Sequence, residues 1–165
     1  MGNKIWEFTG ETKIRLGTTL KRIRAAVGIR FKCGIVIVKG EPGGWIEKES
    51  NLSGDAWVYG NAMVSGDARV YGNAMVYGDA MVSGNAMVCG DAEVKSSKDY
   101  CVYKNTWSSF RWFTYTRSNK MWSVGCFHGT GAELIAKAYK DSEKSGKCYE
   151  AIVKAQEEIE KEIEV

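Results

Sequence analysis

Hydrophobic positions in the middle of the chain recur with a period of six residues. From Gly54 to Lys95 the sequence contains seven consecutive copies of one phrase, Gly-(Asp/Asn)-Ala-x-Val-x. In each copy Ala and Val alternate with variable residues, which places Ala and Val on one side of a short strand. Gly followed by Asp or Asn favours a tight turn, because these residues tolerate left-handed backbone conformations. The pattern predicts a strand and a corner every six residues.

The same period extends upstream of the seven copies. A fixed short period predicts a solenoid, in which each unit buries its apolar side against its neighbours. Because the end coils of a solenoid expose unpaired backbone groups, we expect the flanking segments to act as caps. Aliphatic residues stay in phase at nine positions: Ile46, Leu52, Val58, Val64, Val70, Val76, Val82, Val88 and Val94.

The flanking segments carry strand and helix patterns instead. Upstream, strands are predicted at 4–8, 13–16, 20–25 and 34–39, ending at a turn over 41–44. Downstream, strands are predicted at 100–103, 110–117 and 121–127, with a hairpin turn at 118–120. Thr130 and Glu133 form a capping-box pattern for a first helix. A second helix is predicted from an apolar stripe of Tyr149, Ile152, Val153, Gln156, Ile159 and Ile163.

The sequence therefore predicts a mainly β protein in three parts. Residues 1–43 form an N-terminal β cap, residues 44–96 a short parallel β-helix, and residues 97–165 a C-terminal α+β module of a β-hairpin and two helices. The repeats resemble those of the hexapeptide-repeat left-handed β-helix family, in which three strands and three corners make one triangular coil. That resemblance implies left-handed winding and about three coils.

Four blocks extend the resemblance over nearly the whole chain. They are WEFTGETK, LKRIRA, GGWIEKESNLSGDAWVYGNA and GCFHGTGAEL. Together they are similar to small hexapeptide-repeat proteins encoded by bacteriophages and prophages. The resemblance implies a phage or prophage origin and a life in the bacterial cytoplasm. Since this family brings no assigned reaction, it transfers no functional residues to this chain.

Composition favours a cytoplasmic protein that binds no metal and no cofactor. No apolar run approaches the roughly 20 residues of a membrane span, and the first residues lack the apolar stretch of a signal peptide. Reduced thiols are favoured over disulfides because no secretory signal is present and the number of cysteines is odd. A zinc site is disfavoured because no CxxC pair occurs. The five cysteines are Cys33, Cys89, Cys101, Cys126 and Cys148.

Charge is unevenly distributed along the chain. Residues 1–40 contain nine Lys or Arg and two acidic residues, which gives this segment a net charge of +7. Such a basic head suits an acidic partner such as nucleic acid. The alternative is that its cations lie on solvated cap strands or pair with the acidic last helix. These cations include Lys21, Arg22, Arg24, Arg30 and Lys32.

The sequence contains a single histidine, His128, as a candidate general base for an enzyme. Hexapeptide-repeat acyltransferases, which use acyl coenzyme A, need a His as general base. His128 lies outside the repeats, just before a helix cap, and the repeats have no projecting loop to enclose a substrate. A thiol nucleophile at Cys126 is a weaker alternative, since no orienting acid is evident. We therefore predict no catalytic residue, with an acyltransferase as the alternative.

Outward positions of the repeats predict an assembly or partner surface. They are rich in aromatic residues and Met, a patch that soluble proteins rarely expose. We expect the tail or a second copy to cover it, with a homotrimer preferred. A different protein partner is the alternative. The interface candidates are Trp57, Tyr59, Met75, Tyr77, Trp45, Met63 and Met81.

The strand predicted at 110–117 offers a second binding surface. Alternation places Arg111, Phe113, Tyr115 and Arg117 on one side of it. Aromatic rings beside guanidinium groups suit stacked bases or phosphates. The alternative is that these rings pack within the protein.

The functional expectation is a non-catalytic, phage-derived binding protein that assembles as a small oligomer. Its expected action is inhibition of a host anti-phage defence complex by protein binding. A sponge for a nucleotide signal is an alternative, with its ligand at subunit boundaries lined by Arg111, Tyr115 and Arg117. Further alternatives are an acyltransferase and a structural protein of a particle.

Overall fold

The computed structural model describes residues 4–31 and 34–163. In this part the protein is mainly β, with two helices at its C-terminal end, as the sequence predicts. Lys32 and Cys33, named above among the cations and thiols, lie outside the described residues. Neither described helix is long and apolar enough to cross a membrane.

The strands and helices follow one another in this order. The N-terminal segment contains β1 (Trp6–Arg15), β2 (Thr18–Ala25), β3 (Ile29–Arg30), β4 (Val36–Ile37) and β5 (Pro42–Ile46). After a 3-10 turn at Glu49–Asn51, the repeats form β6 (Trp57–Val58), β7 (Met63–Val64), β8 (Arg69–Val70), β9 (Met75–Val76), β10 (Met81–Val82), β11 (Met87–Val88) and β12 (Glu93–Val94). The C-terminal part contains β13 (Tyr100–Lys104), β14 (Trp112–Thr116), β15 (Met121–Val124), β16 (Phe127–Gly129), α1 (Gly131–Asp141) and α2 (Glu143–Ile163).

Within the repeats, residues eighteen positions apart pair in parallel. Val58 pairs with Val76, and Val76 pairs with Val94. The same spacing joins β5 to β7, β7 to β10, and β8 to β11. Three six-residue copies therefore make one turn of the chain that stacks on the next. Every Ala and Val of the seven copies is 0% exposed, which confirms the predicted inward positions.

The glycine that opens each copy makes the corner. Gly72 has a φ of +73°, and a Cβ atom there would lie 3.0 Å from the backbone nitrogen of Gly90 in the next coil. The left-handed conformation and the close stacking both favour a residue without a side chain. The sequence identified the corner from the Gly-Asp and Gly-Asn pairs, and the structure adds the stacking contact.

The alternation of Asp and Asn after each glycine has its own physical reason. Because a coil spans three copies, an Asn always stacks on an Asp. Asn73 donates its side-chain amide to Asp91 at 3.0 Å, and Asn61 lies 3.4 Å from Asp79 in the same way. A run of Asp alone would stack like charges at each corner, which is unfavourable. The alternation replaces this repulsion with a hydrogen-bonded ladder.

The N-terminal strands extend the sheet of the solenoid. β1 and β2 form an antiparallel hairpin, and β2 pairs with β5 so that the sheet order is β1-β2-β5-β7-β10. Trp6 and Ile23 of the hairpin are buried in the same hydrophobic cluster as the repeat valines. The hairpin therefore covers the free edge of β5 and adds apolar side chains to the solenoid core.

The C-terminal part is a four-stranded antiparallel sheet, β13-β14-β15-β16, with a separate core. Its core includes Phe113, Trp122 and Leu134, which pack between the sheet and the helices. The opposite side of the sheet lies against the last coil. There Thr114 Oγ1 accepts a hydrogen bond from the Met87 N–H at 2.8 Å. Ser118 Oγ likewise accepts a hydrogen bond from the Glu93 N–H at 2.8 Å, and the Tyr100 hydroxyl donates one to the Met81 carbonyl at 2.8 Å.

Two predicted details of this part require correction. The strand predicted at 121–127 is two strands, because Gly125 adopts a φ of +60° and turns the chain between β15 and β16. The predicted apolar stripe of α2 does not continue to its end, since Ile159 and Ile163 are 45% and 53% exposed. Glu160 is buried there instead. The capping box of Thr130 and Glu133 is confirmed.

Replacing Thr114 by Val tests whether hydroxyl groups close the solenoid end. The substitution preserves shape and removes the acceptor of the Met87 N–H. An unsatisfied, partly buried N–H group costs about 1–3 kcal/mol, so we expect the free energy of unfolding in urea to fall by about that amount. The matched control is Thr19→Val, at an exposed strand position. Equal losses for the two variants would contradict the proposed closure.

Candidate functional site

The structure separates the four predicted ligand-binding residues. Phe113 and Tyr115 are 0% and 5% exposed and belong to the core between the sheet and the helices. The guanidinium of Arg117 lies 3.1 Å from the carboxylate of Glu160. Of the four residues, Arg111 alone is exposed. This corrects the expectation that Phe113 and Tyr115 face a ligand: their side of β14 is the side that packs on the helices.

Part of the predicted assembly surface is buried inside the protein. Trp57 is 0% exposed and Met75 is 4% exposed, while Tyr59 and Tyr77 are half-buried. Trp57 and Met75 belong to a hydrophobic cluster that also contains apolar residues of the chain's own N-terminal segment. Trp57 and Met75 are therefore core residues, which corrects the expectation that the tail or a second copy covers them. The apolar residues that the N-terminal segment adds to this cluster include Ile29, Phe31 and Ile37, besides Trp6 and Ile23 of the hairpin.

A second solenoid face carries three half-buried candidates, Trp45, Met63 and Met81. The ring of Trp45 is covered by cations of the β1–β2 hairpin. Lys13 Nζ lies 4.3 Å from its centroid, and Arg22 Cζ lies 5.6 Å from it. The cations thus gather over one aromatic ring beside the hairpin's end.

The end of this hairpin, residues 13–18, is an unusual structure that we call the hairpin tip. Arg15 pairs with Thr18, so Leu16 and Gly17 form a two-residue turn with φ values of +48° and +77°. A turn with two positive φ values favours Asn or Gly at its first position. Leu in this conformation costs roughly 1–2 kcal/mol. Leu16 is nevertheless 83% exposed, so no packing offsets the strain.

A second aliphatic side chain and unpaired cations surround Leu16. Ile14 is 77% exposed. Among the described residues, neither Lys13 nor Arg15 has a carboxylate partner, whereas Arg22 binds Glu11 at 3.1 Å. Burial, and then the charges of Arg15 and Arg22, lower the pKa of Lys13. The tip thus combines two exposed aliphatic side chains with an excess of positive charge.

The only histidine links the solenoid to the C-terminal sheet. His128 Nδ1 lies 3.0 Å from Cys89 Sγ and 3.2 Å from Ser123 Oγ, and these two atoms are 3.0 Å apart. Cys89 is buried, while Cys126 is exposed. Burial and a hydrogen bond to Cys89 raise the pKa of Tyr71. The thiol at hydrogen-bonding distance from His128 is therefore that of Cys89, which stands 39 positions away in the chain.

The sequence predicts a strand at residues 13–16, which is confirmed for residues 13–15 of β1. It did not single out the tip as a candidate site. A signal was present: Leu16-Gly17 stands where a two-residue hairpin turn favours Asn-Gly. The buried Cys89 contact had no such signal, because an outward position on a repeat does not reveal what covers it.

Comparison with known families gives a match inside the repeats. The family model described as the YdcK beta solenoid repeat matches residues 56–70 and 68–84. Neither the curated proteins nor the solved structures gave a match. Together with the parallel pairing of residues eighteen positions apart, the family match indicates a β-solenoid repeat protein.

Proposed function

We propose that this chain is a non-catalytic binding protein that docks on a protein partner through its hairpin tip. The observation that carries the proposal is Leu16, which is strained at a φ of +48° and 83% exposed. Strained backbone conformations cluster at binding and active sites, which makes the tip a candidate docking site. His128 acts in this proposal as a structural link, because its Nδ1 atom lies at hydrogen-bonding distance from Cys89 and Ser123.

The chemistry of the tip defines the partner surface. Ile14 and Leu16 need an apolar cleft, and fully burying each side chain contributes about 1.5–3 kcal/mol. Lys13 and Arg15 favour an acidic rim around that cleft, which would accelerate association and exclude basic surfaces. A phosphate backbone would satisfy the cations but would leave the aliphatic side chains in water. An acidic protein with an apolar cleft therefore fits better than nucleic acid.

Other features of the proposal rest on the family resemblance. The resemblance implies a left-handed solenoid of about three coils. The parallel pairing of residues eighteen positions apart supports three six-residue copies per turn. The protein is of phage or prophage origin, acts in the bacterial cytoplasm, and inhibits a host anti-phage defence complex. Assembly as a homotrimer would present several tips at once and raise the effective affinity for a multimeric target.

The variant Leu16→Asn tests the proposal because it should weaken binding to the partner without lowering the stability of the protein. Asn tolerates a positive φ, so we expect the free energy of unfolding to stay equal or to rise by up to about 1 kcal/mol. Binding should fall at least about tenfold, because an apolar anchor is lost. The variant and the original protein are each immobilised and exposed to bacterial lysate, and the proteins that they retain are compared. The affinity of each retained protein is then measured with purified components.

The matched control is Val38→Asn, which makes the same kind of change at an exposed aliphatic residue outside the hairpin tip. It should retain the partner. A photo-crosslinking residue at position 16 should also attach within an apolar cleft of that partner that has an acidic rim. If the original protein and Leu16→Asn retain the same proteins with equal affinity, the tip is not the docking site.

A further inference from the structure

A separate groove of about 300 Å³ opens where the solenoid meets the C-terminal sheet. We call it the junction groove. Arg69 and Met87 line it from the repeats, at outward positions of adjacent coils. Arg111 and Trp112 line it from the sheet. The groove exists only because the end of β14 lies beside the outer surface of the last coils.

The junction groove carries uncompensated positive charge. Among the described residues, neither Arg69 nor Arg111 has a carboxylate partner. Asp67 also lines the groove, but its carboxylate accepts a hydrogen bond from Lys48 at 2.8 Å. This bond, followed by the charges of Lys48 and Arg69, lowers the pKa of Asp67. Two guanidinium groups are therefore available, and guanidinium binds phosphate oxygens through paired hydrogen bonds.

Arg111 is held in place by its surroundings. A Cβ atom on Gly125 would lie 3.1 Å from Arg111 Nη1, so the guanidinium rests against the bare backbone of that turn. The Arg111 carbonyl also accepts a hydrogen bond from the Asn105 N–H at 2.9 Å. The preceding residue, Phe110, adopts a φ of +54° and is 66% exposed. Fixing a cation before binding lowers the entropy cost of binding.

Trp112 supplies an exposed aromatic ring beside these cations. The residue is 37% exposed. Lys104 Nζ lies 5.2 Å from its ring centroid, which adds a third cation. Aromatic side chains of this kind stack on nucleobases with about 1–3 kcal/mol per base. An inorganic anion would not use this ring, and an uncharged base would not use the guanidinium groups.

We infer that the junction groove binds a free nucleotide, with the base on Trp112 and the phosphates between Arg69 and Arg111. The inference is independent of docking through the hairpin tip, since the two surfaces share no residue. It also differs from the ligand site expected from sequence, for which Arg111, Phe113, Tyr115 and Arg117 are the four candidates. Of these four residues only Arg111 lines the junction groove. Trp112, which alternation places on the opposite side of the strand, lines it as well.

Calorimetric titration of the full chain with ADP tests the inference. Adenosine, inorganic phosphate, a short single-stranded oligonucleotide and a polyglutamate peptide serve as comparison ligands. ADP should bind at least about tenfold more tightly than adenosine or phosphate, because base and phosphate contacts add. Arg69→Ala, Arg111→Ala and Trp112→Ala should each weaken ADP binding about tenfold or more. Circular dichroism should show all three variants folded.

Arg15→Ala is the matched control, since it removes an exposed arginine from the hairpin tip. It should retain ADP, and so should Leu16→Asn, while the groove variants should retain the protein partner. ADP affinity no better than that of adenosine or phosphate overturns the inference. Unchanged affinity in the three groove variants, or binding of only the oligonucleotide or the peptide, also overturns it.

Discussion

Val70→Asp is expected to prevent the protein from folding. Val70 is 0% exposed inside the solenoid and lies between Leu52 and Val88 of the neighbouring coils. A carboxylate at this position would be enclosed by aliphatic side chains with no cation to pair with it. Burying an unpaired charge costs several kcal/mol, which is comparable to the whole stability of a small domain. Circular dichroism and the soluble yield should both show the loss.

The neighbouring variant Arg69→Asp is the control for this experiment. Arg69 stands one position earlier on the same strand but points outward and is exposed. The same new side chain should therefore leave the thermal midpoint within a few degrees, because exposed substitutions usually change stability by about 0.5 kcal/mol or less. A folded, soluble Val70→Asp protein would show that the repeat valines do not face the interior.

The repeat region could be predicted from sequence because its physics is local. Whether Val70 faces inward depends on alternation along two-residue strands, and the corner at Gly72 depends on backbone freedom. Both signals lie within six residues of each other. Seven copies of the same signal then fix the stacking, since each copy can bury its apolar side only against its neighbours.

The surfaces of the protein could not be predicted in the same way. Both sides of β14 carry aromatic residues, so alternation alone could not decide whether Phe113 or Trp112 would be buried. The answer depends on two helices that follow later in the chain. In the same way, Trp57 is buried in a cluster that draws apolar residues from the N-terminal segment, which precedes the repeats. These contacts join distant parts of the chain and leave no periodic signal.

The hairpin tip shows a third limit. Leu16-Gly17 could be recognised as a turn, but its strain becomes clear only from the φ value of +48°. Its exposure also depends on how far the hairpin extends beyond β5. Pairing between β2 and β5 begins at Lys21, so the tip lies past the paired residues. The excess of positive charge in residues 1–40 can be counted from the sequence, whereas only the structure shows that the tip extends beyond the residues of β2 that pair with β5.

Phe113→Ala should selectively unfold the C-terminal part of the protein. The Phe113 ring centroid lies 5.2 Å from that of Tyr149, 5.5 Å from that of Tyr103 and 5.8 Å from that of Trp122. Removing a fully buried Phe ring costs about 3–5 kcal/mol. The hydrophobic cluster of the sheet and helices is separate from that of the solenoid, so the loss should be local. Hydrogen exchange should therefore accelerate in α1, α2 and β13 to β16 before it changes in β5 to β10.

Phe110→Ala separates this local effect from a general effect of losing an aromatic ring. Phe110 is 66% exposed, so its removal should change stability by about 0.5 kcal/mol or less. The Met87 N–H gives the decisive measurement, because Thr114 accepts its hydrogen bond from the sheet. In Phe113→Ala the hydrogen exchange of this amide should accelerate together with that of the C-terminal part, although Met87 belongs to the repeats. If it stays as protected as the valine amides of the inner coils, the sheet does not close the solenoid, and the last coil is stable without a cap.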